Sequence, residues 1–190
     1  GPPPSDFYRY FMRWRHKWDI DARTNVIAEL LKITDQRRKD DPAYKGTPGT
    51  PDARSFLQDY FFREYEKDTT PLSYALFHHA FDYSSLDVLL QVRTNHWFDQ
   101  VEKKPEVNYN LPSLQLGESP FYFESVSQLG NYNVKKATGS DPSSSVYNQN
   151  RDNVTVTRLD TKNTFSLPAK IAFIQFKPFV SSRQTFYDKG

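Results

Sequence analysis

Residues 70–104 read TPLSYALFHHAFDYSSLDVLLQVRTNHWFDQVEKK, the most apolar long stretch of the chain. Thr70 followed by Pro71 is a helix-start signal: a hydroxyl cap, then a proline where its missing N–H costs nothing. Leu72, Ala75, Leu76, Phe77 and Ala80 then offer an apolar surface. Ser84 or Ser85 would cap a second helix, with Asp87 near the positive end of its dipole. In that helix Leu86, Leu89, Leu90, Trp97 and Val101 fall within one arc at about 100° per residue. Val88, Val92 and Phe98 lie outside the arc. A helix apolar nearly all round is buried on more than one side, which puts this one at the centre of the fold. Lys103 and Lys104 suit its C-terminal end, and Pro105 stops it.

Working outward, Thr50-Pro51 repeats the start signal, and Phe56, Leu57, Tyr60 and Phe61 give a helix to about residue 67. Residues 22–38 read as a helix capped by Asp19 or Asp21, burying Val26, Ile27, Leu30, Leu31 and Ile33. In 6–18, DFYRYFMRWRHKW, a helix would put Phe7, Tyr10, Phe11, Trp14 and Trp18 on one face. Arg9, Arg13, His16 and Lys17 would share the opposite face. Between these, 41–51 is a loop by its proline and glycine content, without the Gly-Lys-Ser/Thr of a phosphate loop.

Past Pro105 the pattern changes. Residues 106–118 show no helical period and read as an extended surface run. Strands are expected at 120–126, 131–136 and 153–159, the last by its alternation. The run 169–177, AKIAFIQFK, is apolar on both faces, hence the centre of a sheet. Residues 137–152 are rich in Ser, Asn and Gly and read as a mobile loop. The expected fold is therefore α+β: about five helices packed on a small, mainly antiparallel sheet. It is a single domain over 1–190, with 1–5 a tail that resembles a tag-removal scar, 6–104 the helical half and 105–190 the extended and β half.

Composition narrows the chemistry. Fifteen Phe, 12 Tyr and 3 Trp supply large contact areas, and the net charge of +2 gives no general pull toward nucleic acid. The absence of cysteine excludes thiol catalysis, disulfides and cysteine-held metals, and leaves the compartment unknown. No run approaches the roughly 20 apolar residues of a membrane helix. His78 and Asp82, four apart on a helix, would pair as an acid–base unit, with His79 beside them. These three are the weak catalytic candidates, and no nucleophile motif accompanies them. The four histidines lack metal-ligand spacing, so neither metal nor cofactor is expected. Asn153-Val154-Thr155 matches a glycosylation triplet.

The functional expectation is a non-enzymatic protein-protein interaction or assembly domain, a piece of a larger protein. Its positive feature is a binding surface of Arg9, Arg13, Trp14, Lys17 and Trp18, residue types that dominate interface hot spots. The partner would be another protein or a second copy of the chain. Nucleic-acid binding through the same basic, aromatic segment is the first alternative, and a hydrolase-like site at His78, His79 and Asp82 the second.

Overall fold

The structure, a computed structural model, describes residues 10–33, 72–95, 100–135, 154–171 and 173–189. Across these residues it is all strand and turn. The strands are β1 Phe11–Asp19, β2 Thr24–Ile33, β3 Ser73–Ala80, β4 Ser85–Val92, β5 Gln100–Gln115, β6 Tyr122–Lys135, β7 Thr155–Ser166, β8 Ala169–Ile171, β9 Ile174–Phe176 and β10 Phe179–Lys189. Eight of them form one sheet in the order β1-β2-β3-β4-β5-β6-β7-β10, antiparallel throughout. β8 and β9 are a separate small hairpin inserted before β10.

The α+β expectation is thus corrected: what reads as a helical half is the first half of a continuous antiparallel sheet. The residues taken as two central helices are β3, β4 and the start of β5. Within the expected 22–38 helix the described residues Thr24–Ile33 are β2, and the basic, aromatic segment from Phe11 onward belongs to β1. The 51–67 helix and the 41–51 and 137–152 loops lie outside the described residues. Two physical ambiguities account for the difference. A short run apolar on both faces satisfies a helical arc and a buried strand equally well. Ser and Asp, which cap helices, also close turns by bonding nearby backbone. Ser84 and Asp82 belong to such a turn, where the Phe81 N–H donates to the Ser84 carbonyl at 2.7 Å. Asp21, the other proposed cap, accepts from the Arg23 N–H at 2.7 Å and the Thr24 hydroxyl at 2.9 Å, closing the β1–β2 turn.

Pro105, expected to stop a helix, lies inside β5, the longest strand. Proline cannot donate to a ladder and is tolerated in a sheet at bulges. The β5–β6 register shifts between Lys103 and Glu106 and again between Leu111 and Leu114, where Pro105 and Pro112 fall. Residues 106–118, expected to run over the surface, therefore form most of a central strand. The 169–177 run is corrected the other way: it is no central strand but the exposed β8–β9 hairpin.

Successive strand residues point to opposite faces, and the register sorts them consistently across the sheet. One row of neighbours runs Trp18, Val26, Phe77, Val88, Val107, Leu129, Leu159, Phe186. The row one residue away, on the other face, runs Asp19, Asn25, His78, Asp87, Asn108, Gln128, Asp160, Thr185. These two rows keep opposite character on opposite faces across all eight strands.

The burial is inverted relative to a water-soluble globule. Leu31, 6% exposed, is the one buried hydrophobic among the described residues, whereas Glu102, Glu106 and Asp160 are buried. Trp18 and Phe186, at the two ends of the apolar row, are 58% and 59% exposed.

The connections are asymmetric as well. At one end the strands are joined by short turns at 20–23, 81–84 and 116–121, and by the β8–β9 insertion. At the other end they are joined through 34–72, 93–99 and 136–154, two of which are long.

Candidate functional site

Charge is distributed unequally between the faces. On the apolar face, Asp, Glu, Lys and Arg of the described strands are confined to the long-loop rim: Lys32, Glu102 with Lys104, Lys135 and Asp188. Inward of that rim the face carries Leu30, Ala75, Leu90, Phe77, Val88, Val107 and Tyr109 over β2 to β5. At the short-turn end Leu114, Phe123, Phe165 and Val180 continue it, with the two phenylalanine rings 4.8 Å apart.

Over β6 and β7 this same face also holds hydroxyls and amides. Most are paired sideways: Ser125 donates to Asn163 at 2.8 Å, Ser127 and Thr161 share a bond of 2.9 Å, Asn131 donates to Thr157 at 3.3 Å and Asn133 to Thr155 at 3.1 Å, although the buried Asn133 Oδ1 has no hydrogen-bond partner among the described residues. Cross-strand pairs of this kind stabilise sheets. They also leave less polar capacity to be met by solvent.

The polar face is charged along its whole height. Glu29 accepts from the Arg13 Nε at 2.7 Å, with Arg15 at 3.9 Å and the Tyr74 hydroxyl at 3.4 Å. His78 Nδ1 and Asp87 Oδ1 are 2.5 Å apart. At the centre, Glu106 accepts from the Tyr132 hydroxyl at 2.7 Å and from the Lys103 ammonium at 3.0 Å. Burial pushes the Glu106 carboxyl up, but Tyr132, Lys103 and Asn108 together outweigh it and hold it below the usual range. Burial, then the Glu106 hydrogen bond and charge, push the Tyr132 phenol up to about 12. Arg158 lies 5.2 Å over the Tyr132 ring and donates to Gln128.

Gly130 makes this cluster possible. A Cβ there would meet the Tyr132 ring at 2.6 Å, so only glycine lets the ring fold back along its own strand to reach Glu106. On the neighbouring strands Arg183 grips Asp160 with two bonds, Nε to Oδ1 at 3.0 Å and Nη2 to Oδ2 at 2.5 Å, and Thr185 adds a third at 3.1 Å. Arg183 is the main cause that draws the Asp160 carboxyl down to about 2, against its burial.

The residues singled out from sequence are dispersed by this geometry. His78 is on the polar face with Asp87. His79 is on the apolar face, its Nδ1 2.8 Å from the Thr24 hydroxyl and its ring edge-on to Phe81 at 4.5 Å. Asp82 sits in the turn, 2.5 Å from Arg23. The three are not brought together. In β1 strand parity, not a helical arc, sorts the residues: Trp14, His16 and Trp18 on the apolar face, and Arg13, Arg15 and Lys17 together with Phe11 on the polar one. Arg9 lies outside the described residues. Glu106, Tyr132, Arg158, Asp160 and Arg183 were not found from sequence. For Arg158 and Asp160 the only signal is the alternation of 153–159; Glu106, Tyr132 and Arg183 come to them through the pairing of β5, β6, β7 and β10.

Among the described residues no helix is long and apolar enough to cross a membrane. Compared with family models, with curated proteins and with solved structures, the chain matches none.

Proposed function

We propose that this sheet is a stretch of the wall of a transmembrane β-barrel, a non-enzymatic assembly element whose apolar face meets lipid acyl chains and whose polar face lines the interior. The observation that carries this reading is the in-phase pair of rows, apolar and polar, unbroken across all eight strands. Barrel walls alternate apolar-out and polar-in, with short turns at one end and longer loops at the other. The charge confined to one rim of the apolar face and the asymmetric connections each fit that plan. β5, β6, β7 and β10 exceed or match the ~9–11 residues a tilted strand needs to span the hydrocarbon.

The outer edges of β1 and β10 have no strand partner among the described residues. Backbone groups left unpaired in hydrocarbon cost on the order of several kcal/mol each, so a wall requires both edges to be paired, with each other or with further strands. In either case the expected edge partner is strand rather than nucleic acid. Arg13 and Arg15 already face Glu29.

Trp14 and Trp18 on the apolar face provide the test. With Trp97→Phe removing the third tryptophan, the chain is reconstituted in vesicles whose acyl chains carry bromine. Strong quenching of both tryptophans is expected. Unquenched emission from a chain that stays monodisperse without detergent would overturn the proposal.

A further inference from the structure

The β8–β9 hairpin has no role in the wall itself. Its base is closed by the Leu167 N–H donating to the Pro178 carbonyl at 3.0 Å, so it projects from a fixed root at the short-turn end. Its tip residue Phe173 is 89% exposed, and Ile174 and Phe176 are exposed too. The register gives it two unlike faces: Lys170 opposite Gln175 on one, Ala169 opposite Phe176, with Ile174 alongside, on the other. Lys170, Lys177 and Phe176 edge one open depression.

Two further observations say what covers it. Val180, two residues past the root of the hairpin, leads directly into the apolar face, where it neighbours Phe165. The hairpin is also the turn-end element with excess positive charge. The β1–β2 and β3–β4 turns hold Asp21, Arg23 and Asp82, with Arg23 and Asp82 paired, and the β5–β6 turn holds Glu118.

We infer that the hairpin is an interfacial anchor: Phe173, Ile174 and Phe176 lie in the headgroup boundary at the short-turn end, and Lys170 and Lys177 engage anionic lipid phosphates. This rests on the barrel-wall reading. An apolar face buried shallowly, with basic groups toward anionic headgroups, is how short amphipathic elements hold a membrane surface.

The chain has no cysteine, so single-site labelling is clean. Phe173→Cys and, separately, Phe186→Cys in the apolar row are labelled with a polarity-sensitive dye. The full chain is then reconstituted in phosphatidylcholine vesicles with and without phosphatidylglycerol. Quenchers are placed at the headgroup or deep in the acyl chains. The dye at 173 is expected to be quenched best at headgroup level, and severalfold less when phosphatidylglycerol is omitted or in K170Q/K177Q.

Deep quenching at 186 with a water-exposed dye at 173 overturns the anchor and leaves the wall. A dye at 173 shielded from water but unquenched by lipid means that a protein surface covers the hairpin, which also overturns it. So does headgroup quenching indifferent to lipid charge and to both lysines. No lipid quenching at 186 removes the wall reading and the anchor with it.

Discussion

The sheet has two halves that solve the same problem differently. Inward of its charged rim, the apolar face from β2 to β5 is mostly hydrocarbon, and the strands are held by what surrounds them and by ion pairs on the other side. Over β6 and β7 apolar rows alternate with hydroxyl and amide pairs bonded across the strands. The second arrangement carries its own cross-strand glue. The first depends on its environment, since apolar area contributes only when it is removed from water.

The sharpest way to break this comparison is to put a charge on the shared apolar row. In vesicles Val88→Arg should cost about 2–4 kcal/mol, the range for a basic residue at the bilayer midplane. Leu159→Arg, in the same row but the other half, should cost as much, while Asn108→Arg on the polar face should stay within about 0.5 kcal/mol. Denaturant unfolding in vesicles measures all three. If Leu159→Arg proves harmless while Val88→Arg does not, the two halves face different media.

Next in size is Glu106, at the seam between the halves. Glu106→Ala leaves the Lys103 ammonium and the Tyr132 hydroxyl without their acceptor, at about 1–3 kcal/mol. The Tyr132 phenol should fall from about 12 toward its ordinary value of 10.0 once the carboxylate that holds its proton is gone. Ultraviolet titration of the phenolate reads this, and an unmoved transition would show that the contact is not formed.

A smaller effect should separate β10 from the rest in acid. The folded carboxyl of Asp160 is depressed to about 2 from 3.8. Its contribution is therefore present above pH 3.8 and lost as the pH falls through about 2. Hydrogen exchange of β10 amides should rise in that window ahead of β3 and β4. Asp160→Asn should abolish the acid dependence, and exchange that rises uniformly would contradict the assignment.

The smallest expected change is Ser127→Ala, which removes one rung of the ladder: about 0.5–1.5 kcal/mol for a single hydrogen bond. A cycle with Thr161→Ala should show the two to be coupled. Additive losses would mean that the rung is not formed.

What the sequence by itself determined is local and chemical. The alternation of 153–159 and the split of Trp14 and Trp18 from Arg13 and Lys17 are legible in the chain, whereas Asp21 and Asp82 read as a helix cap and a helical acid yet belong to turns between strands. Tertiary pairing alone decided the rest. For 70–104 the apolar pattern fits both a helical arc and a two-faced strand, and only the hydrogen bonds to β2 and β5 select the strand. Parity then follows from register, a non-local quantity set by bulges at Pro105 and Pro112 that no periodicity count would place. Register is also what brings Tyr132 to Glu106 and Arg183 to Asp160, and what sends His78 and His79 to opposite sides of the sheet.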